Sequence, residues 1–126
     1  MTGGSKGRVL VVDDEPAIRL LCRVNLELDG YEVLEAATLA EARECLARTA
    51  LDAVVVDLHL GRETSHELIA DCAGRMPPIP VAVITGSTDA SGAERAGAGA
   101  LLPKPFAIGE LSATVERLTA QATAAR

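Results

Sequence analysis

The sequence predicts an α/β fold: a doubly wound, five-stranded parallel sheet with helices on both faces. Three observations carry that expectation. The runs Val9 to Val12, Ala53 to Val56 and Val81 to Ile84 are short, valine-rich and continuously apolar, as strands covered on both sides must be. Helical patterns with recognisable ends lie between them. The polar residues able to do chemistry fall just after those runs, where open parallel sheets bind ligands.

In chain order, residues 1–7, MTGGSKG, lack the apolar stretch of a signal peptide and read as a flexible leader to a domain over 8–122. After the first strand, Pro16 suits the opening turn of a helix with Ile18, Leu21, Asn25 and Leu28 on one stripe, and Gly30 can end it in a left-handed conformation. Tyr31 to Glu35 forms a second, less regular strand. Thr38 with Glu41 makes a capping box before the second helix, and Thr64 with Glu67 repeats the pattern before the third. Between Thr85 and Lys104 the chain reads GSTDASGAERAGAGALLP, rich in glycine and without a large apolar residue before Leu101. Such a stretch buries little against a high backbone entropy cost, so the fourth helix is expected to be short or irregular. Ala100 to Leu102 supplies the fifth strand. Ile108, Leu111, Val115 and Leu118 mark the last helix, and residues 123–126 read as a polar tail.

The chain of 126 residues and 13.0 kDa is one domain, with room for a sizeable core. Aromatics make up only 2%, so aliphatic side chains must build that core. A net charge of −6 argues against direct nucleic-acid binding, which needs a basic face. Cys22, Cys45 and Cys72 show no metal-ligand spacing and read as small apolar residues kept reduced. No apolar run approaches the ~18 residues of a membrane span. Together these point to a cytoplasmic protein without membrane insertion.

The stretch VVVDLHL at 54–60 raises the chemical question, because a carboxylate amid valines loses several kcal/mol of hydration unless it is compensated. Asp57 is expected where its strand emerges. Asp13 and Asp14 follow the first strand, Thr85 ends the fourth and Lys104 follows the fifth, so all five residues converge on one mouth. Clustered carboxylates need a cation, and an oxygen-only set favours a hard ion such as Mg2+. With the ion in place, Asp57 can attack a phosphoryl group while Lys104 and the Thr85 hydroxyl meet its oxygens. Taken singly, the features are bland: an acidic pair is commonly a helix cap, and Lys104 between Pro103 and Pro105 a rigid turn with a solvated lysine. Glu15 fits the pocket or the dipole of its helix equally well.

The motifs VLVVDDE at 9–15, VVVDLHL at 54–60, VAVITGS at 81–87, AGA at 96–98 and KPF at 104–106, in this order, resemble a response-regulator receiver domain, the phosphoacceptor module of two-component signalling. The resemblance covers nearly the whole chain from Arg8. It implies a flavodoxin-like strand order of 2-1-3-4-5, Mg2+ as cofactor, and phosphoryl transfer to Asp57 from a histidine kinase or phosphotransfer protein. It implies direct Mg2+ contact from Asp14, Asp57 and the His59 backbone carbonyl, with Asp13 acting mainly through water, and a cis Lys104–Pro105 bond. His59 and Ser87 are expected to border the water entrance and modulate the acyl phosphate. Such a domain catalyses only its own phosphorylation and dephosphorylation.

Departures from the family pattern are local. Gly61 stands where relatives usually carry proline, so the loop after Asp57 is less restricted; Ser65 stands where they carry glycine, so that position must avoid glycine-only backbone angles or bear strain. Leu101 occupies the switch position, where relatives carry an aromatic whose rotation reports phosphorylation. The Thr85–Lys104 segment is about one helical turn shorter than usual. His66 is expected to be exposed. The chain fits a stand-alone receiver or one excised from a larger regulator or hybrid kinase, signalling to an unknown downstream protein. A phosphorylation-independent interaction module of the same fold is the alternative. An aspartate-nucleophile phosphatase would want an acid where His59 stands, and a P-loop or dinucleotide enzyme a glycine-rich turn in place of VVDDEPA.

Overall fold

Valine and isoleucine dominate the central strands because β-branched side chains fit a pleated surface packed on both faces. In the computed structural model, which describes residues 5–86 and 90–125, those runs form a parallel sheet of order β2-β1-β3-β6-β7. The elements are β1 (Arg8–Val12), α1 (Pro16–Leu28), β2 (Glu32–Ala36), α2 (Leu39–Arg48), β3 (Ala53–Asp57), β4 (His59–Leu60), β5 (Glu63–Thr64), α3 (His66–Ala73), β6 (Val81–Thr85), α4 (Ala90–Ala96), β7 (Ala100–Pro103) and α5 (Ile108–Ala125). With the small antiparallel pair β4–β5 set aside, this is the expected 2-1-3-4-5 order. The register pairs Val12 with Val56 and Asp57 with Ile84, so the strand ends are nearly level.

Alternation along each strand divides the core between two faces. Leu10, Val12, Val54, Val56, Val81 and Val83 pack against α2, α3 and α4. Val9, Val11, Ala53, Val55, Ala82 and Ile84 pack against α1 and α5, where Leu111, Val115 and Leu118 are fully buried. Each buried valine, leucine or isoleucine among them contributes about 1.5–3 kcal/mol of transfer free energy.

Helix ends follow the local chemistry in most places. Pro16 opens α1, and Gly30 closes its exit at φ +102°. The Thr38 hydroxyl accepts from Glu41 N–H at 3.1 Å, and the Glu41 carboxylate accepts at 2.6 Å from the N–H of Ala37, the residue before the N-cap, so the α2 cap is reciprocal but displaced by one residue. The short α4 spans 7 residues, as the glycine-rich sequence requires. The Lys104–Pro105 bond is cis.

Three expectations are corrected. The buried residues of α1 are Cys22 and Leu26, while Leu21 and Leu28 are 41% and 80% exposed; α1 is apolar over most of its circumference, and the sheet selects a different stripe. Thr64 caps nothing, because β5 pairs it with His59; Ser65 is the N-cap of α3 and makes no side-chain cap bond. His66 is half-buried, not exposed, with its Nε2 enclosed against α4.

At the chain ends, residues 1–4 of the leader, position 126 of the tail and Ser87 lie outside the described residues. Lys6 N–H donates to Gly30 O at 2.9 Å, and its ammonium sits 5.1 Å from the Tyr31 ring centre. Helix α5 continues through residues 123–125.

Candidate functional site

The carboxyl edge of the sheet brings Asp13, Asp14 and Asp57 together, with one carboxylate oxygen from each lying within 4.8 Å of the others. Asp13 follows β1 directly and is fully buried; Asp57, the last residue of β3, is 6% exposed. Asp14 is exposed at the rim. Leu58 N–H continues the ladder to Ile84 O at 2.9 Å, so the chain is still in the sheet where Asp57 presents its carboxylate.

Lys104 reaches across from the end of β7. Its Nζ lies 2.6 Å from Asp57 Oδ2 and 3.8 Å from Glu15 Oε1, and its backbone N–H donates to Thr85 O at 2.9 Å. That last bond extends the β6–β7 pairing and brings Lys104 and the buried Thr85 to adjoining strand ends. Glu15 therefore joins the rim of the pocket as well as preceding α1. The other Asp57 oxygen, Oδ1, accepts from His59 N–H at 3.1 Å.

The electrostatics are those of a site short of positive charge. Burial pushes the Asp13 carboxyl up; the Glu15 N–H on Oδ1 opposes this, the Asp57 charge adds to it, and Lys104 partly relieves it. Burial lowers the Lys104 pKa, but the hydrogen bond and charge of Asp57, with Asp13 and Glu15, outweigh it and hold the ammonium above its ordinary value. Asp13 Oδ2 is buried and has no hydrogen-bond partner. An orphaned carboxylate oxygen facing two further carboxylates is the donor set a hard divalent cation takes, and the residues present fit Mg2+.

The loop between β3 and α3 holds what sequence reading misses. Gly61 adopts φ +62°, a region proline cannot enter, and its N–H donates to Asp14 Oδ2 at 3.0 Å. Ser65 sits at φ −94°, an ordinary angle for a side-chain-bearing residue, and its hydroxyl lies 2.6 Å from Asp57 O. The signal was present in the absence of proline at 61 and the presence of a hydroxyl at 65, but the partners are not legible from spacing. Arg19 is a second unforeseen support, donating to Asp13 O at 2.8 Å and pairing with Glu35 at 3.2 Å. Leu101 is half-buried and packs on the core shared with α3 and α4.

A groove of ≈ 340 Å³ lined by Glu15, Ile18, Leu21, Lys104, Pro105 and Phe106 adjoins the pocket. A larger hollow of ≈ 660 Å³, between Leu46 and Ile79, opens at the opposite end of the sheet. Its lining sets the Thr49 hydroxyl beside Arg48 and Arg75 but includes no carboxylate, histidine or cysteine, so size does not mark the chemistry here.

The fold and the pocket define a class: a doubly wound α/β module whose strand ends present clustered carboxylates to one lysine and one threonine. Residues 9–116 match the profile of the response regulator receiver domain, and the chain belongs to that family. It is 40% identical over 120 residues to the response regulator protein PilR of Pseudomonas aeruginosa, covering 90% of this chain and 27% of PilR. It is 38% identical over 121 residues to the transcriptional regulatory protein KdpE of Mycobacterium tuberculosis, covering 90% of this chain and 53% of KdpE. The chain thus spans about a quarter to a half of the length of these relatives. Among solved structures, the chemotaxis response regulator CheY4 of Vibrio cholerae superposes with a TM-score of 0.80 at 28% identity, covering 88% of this chain and 97% of that one. The chain is a receiver domain of the kind found in response regulators of two-component systems. Among the described residues, no helix is long and apolar enough to cross a membrane.

Proposed function

We propose that this receiver domain accepts a phosphoryl group on Asp57 from the phosphohistidine of a histidine kinase or phosphotransfer protein. The observation that carries the reading is the 2.6 Å contact of Lys104 Nζ with Asp57 Oδ2 inside a cluster of three carboxylates. A carboxylate oxygen of Asp57 forms the new P–O bond as the P–N bond of the donor breaks, and its electron pair returns to the imidazole. Lys104 releases Asp57 Oδ2 and follows the negative charge onto a phosphoryl oxygen. The Thr85 hydroxyl, at the adjoining strand end, donates to another. The carboxylates of Asp13, Asp14 and Asp57 and the His59 backbone carbonyl would hold Mg2+, with Asp13 acting mainly through water. When bound, the ion supplies charge neutralisation on the transferring oxygens.

Catalysis in this reading is confined to the domain's own phosphorylation and dephosphorylation. His59, exposed two residues beyond the acceptor, modulates water access to the acyl phosphate. The net charge of −6 supports a downstream protein partner in preference to direct contact with nucleic acid. Leu101 stands at the switch position. The test is to incubate wild type and Asp57→Asn in parallel with a small acyl-phosphate donor, with and without Mg2+, and to weigh the intact chains, since the sequence contains no tryptophan to quench. Wild type with Mg2+ gains the mass of one phosphoryl group, and Asp57→Asn gains none. No gain in wild type would leave an interaction module that keeps the fold without the chemistry.

A further inference from the structure

The nine residues from Asp57 to Ser65 leave the sheet, turn, and come back to the point of departure. They do so through the two-residue strands β4 and β5, in which His59 pairs with Thr64 and Leu60 with Glu63. Gly61 takes φ +62° at the turn, and Ser65 returns beside the strand end, fully buried. Ser65 N–H donates to Leu58 O at 3.0 Å. Its Oγ is 2.6 Å from Asp57 O and 3.0 Å from Leu58 O. A hydroxyl carries one proton, and the shorter contact takes it. The Asp57 carbonyl lies beyond Val12–Val56, the last register pair between β1 and β3, so Ser65 reaches an acceptor past the end of that ladder.

The turn is tied to the pocket separately. Gly61 N–H donates to Asp14 Oδ2 at 3.0 Å, although Gly61 and Asp14 are far apart in sequence and both exposed. A carboxylate at the rim of a pocket otherwise rotates freely in water, and a fixed backbone donor on one oxygen sets the direction of the other. The loop thus grips the acceptor strand through Ser65 and the acidic pair through Gly61.

We propose that Ser65 and Gly61 are positioning residues of the phosphoacceptor pocket: Ser65 anchors the backbone of Asp57, and the Gly61 amide holds the Asp14 carboxylate ready for a divalent cation. The proposal rests on the phosphoacceptor reading above and adds to it residues that touch neither ion nor phosphate. The two supports act on different parts of one ligand set, so each can be removed without the other.

The test is Mg2+ titration of the unphosphorylated protein, followed by NMR of backbone amides, which needs no turnover. Ser65→Ala and Gly61→Pro each weaken Mg2+ binding by about tenfold, the low end of the effect of losing an outer partner of a metal ligand. Gly61→Asn keeps the amide and tolerates the left-handed angle, and Ser65→Thr keeps the hydroxyl; both stay within about twofold of wild type. Nothing lies within 4 Å of a Cβ placed on Gly61, and asparagine tolerates its left-handed angle, so Gly61→Asn remains informative if the extra methyl of Ser65→Thr is not accommodated. A second readout separates positioning from catalysis: Gly61→Pro raises the Mg2+ concentration for half-maximal phosphate uptake by about tenfold, and further Mg2+ recovers uptake. Unchanged affinity in Ser65→Ala and Gly61→Pro, in a wild type that binds Mg2+ and takes up phosphate, would overturn the proposal alone. Equal losses in Gly61→Pro and Gly61→Asn would overturn it too. A wild type that binds no Mg2+ and takes up no phosphate would instead overturn the phosphoacceptor reading.

Discussion

Lys104 and Asp57, from the ends of β7 and β3, meet at 2.6 Å, and the same ammonium lies 3.8 Å from Glu15 and feels the charge of Asp13. Lys104 is 30% exposed along its side chain, which moderates the worth of the pair through solvent screening. Replacing it leaves the buried Asp57 carboxylate without its cation. Lys104→Met is therefore expected to lower stability by about 1 kcal/mol in the absence of divalent ions. Adding millimolar Mg2+ should recover most of that loss, because the ion takes over the neutralisation. Urea unfolding with and without Mg2+ measures both quantities, and a deficit that ignores Mg2+ would contradict this account.

Asp13 gives the opposite sign. Its Oδ1 accepts from Glu15 N–H at 2.9 Å, while its buried Oδ2 has no partner and faces the other acids. In Asp13→Asn the amide nitrogen takes the place of Oδ2 and can donate to a neighbouring carboxylate, while the remaining oxygen keeps the Glu15 bond. Without Mg2+ the variant should be more stable than wild type by about 1 kcal/mol, or about 4 °C in melting temperature. It should also lose much of the rise that Mg2+ produces in wild type. A lower melting temperature without the ion would show that the Asp13 charge is satisfied by something else.

How much of this was legible beforehand follows from the range of the interactions involved. Asp57 at the mouth, with Asp13, Asp14, Thr85 and Lys104 around it, could be read because strand runs and their polar ends are local patterns and parallel topology aligns those ends. The face of α1 could not, since apolar residues at 17, 18, 20, 21, 22, 24, 26 and 28 leave several stripes open and only packing against the sheet chooses Cys22 and Leu26. Strands β4 and β5 are too short for any periodicity, and their existence turned the expected cap at Thr64 into a paired strand residue. The Gly61–Asp14 and Ser65–Asp57 bonds join residues whose spacing carries no signal without the hairpin between them.

Leu101 packs on the core shared with α3 and α4 and is the register partner of Val83. Leucine has no hydroxyl or ring edge to offer at the surface, and moving it outward would expose apolar area. Phosphorylation is thus expected to draw on Thr85 while Leu101 stays seated. Methyl NMR with and without a phosphoryl mimic should show shifts near Thr85 and Lys104 and an unchanged Leu101 rotamer. A large reorientation of Leu101 that opens a surface pocket would refute this.

The cysteines supply a pH-dependent prediction away from the pocket. Burial pushes the thiols of Cys22 and Cys72 from 9.0 up to about 11, whereas Cys45 is only partly buried. At pH 8 the two buried thiols should carry ~100-fold less thiolate than ordinary ones, so alkylation of the native chain is expected at Cys45 first, read by peptide mass mapping. Unfolded thiols ionise from 9.0 while folded ones wait until about 11, so the unfolded state holds fewer protons in that window and stability falls as pH rises through it. Constant stability from pH 8 to 11 would mean that the two sites are wetter than their burial indicates.

The two glycines of the α4 segment should respond differently to the same added methyl group. A Cβ on Gly92 would lie 2.9 Å from Nε2 of His66, the far tip of a side chain. That Nε2 is buried without a partner, so a ring pushed outward gains water for its nitrogen as it loses packing. Alanine is also the better helix former by about 1 kcal/mol. Gly92→Ala should therefore fall within about 0.5 kcal/mol of wild type, with His66 moved into solvent. Gly97 follows α4 at φ +112°, and its N–H donates to Glu94 O at 3.0 Å to close the helix. A Cβ there would sit 2.7 Å from Ala73 Cβ, an atom fixed to the backbone of α3 that has no rotamer to escape into. Strain and collision add, so Gly97→Ala should cost about 2 kcal/mol. Paired urea unfolding curves decide it: equal stabilities for the two variants would mean that α4 shifts as a unit and is not held by its glycine against α3.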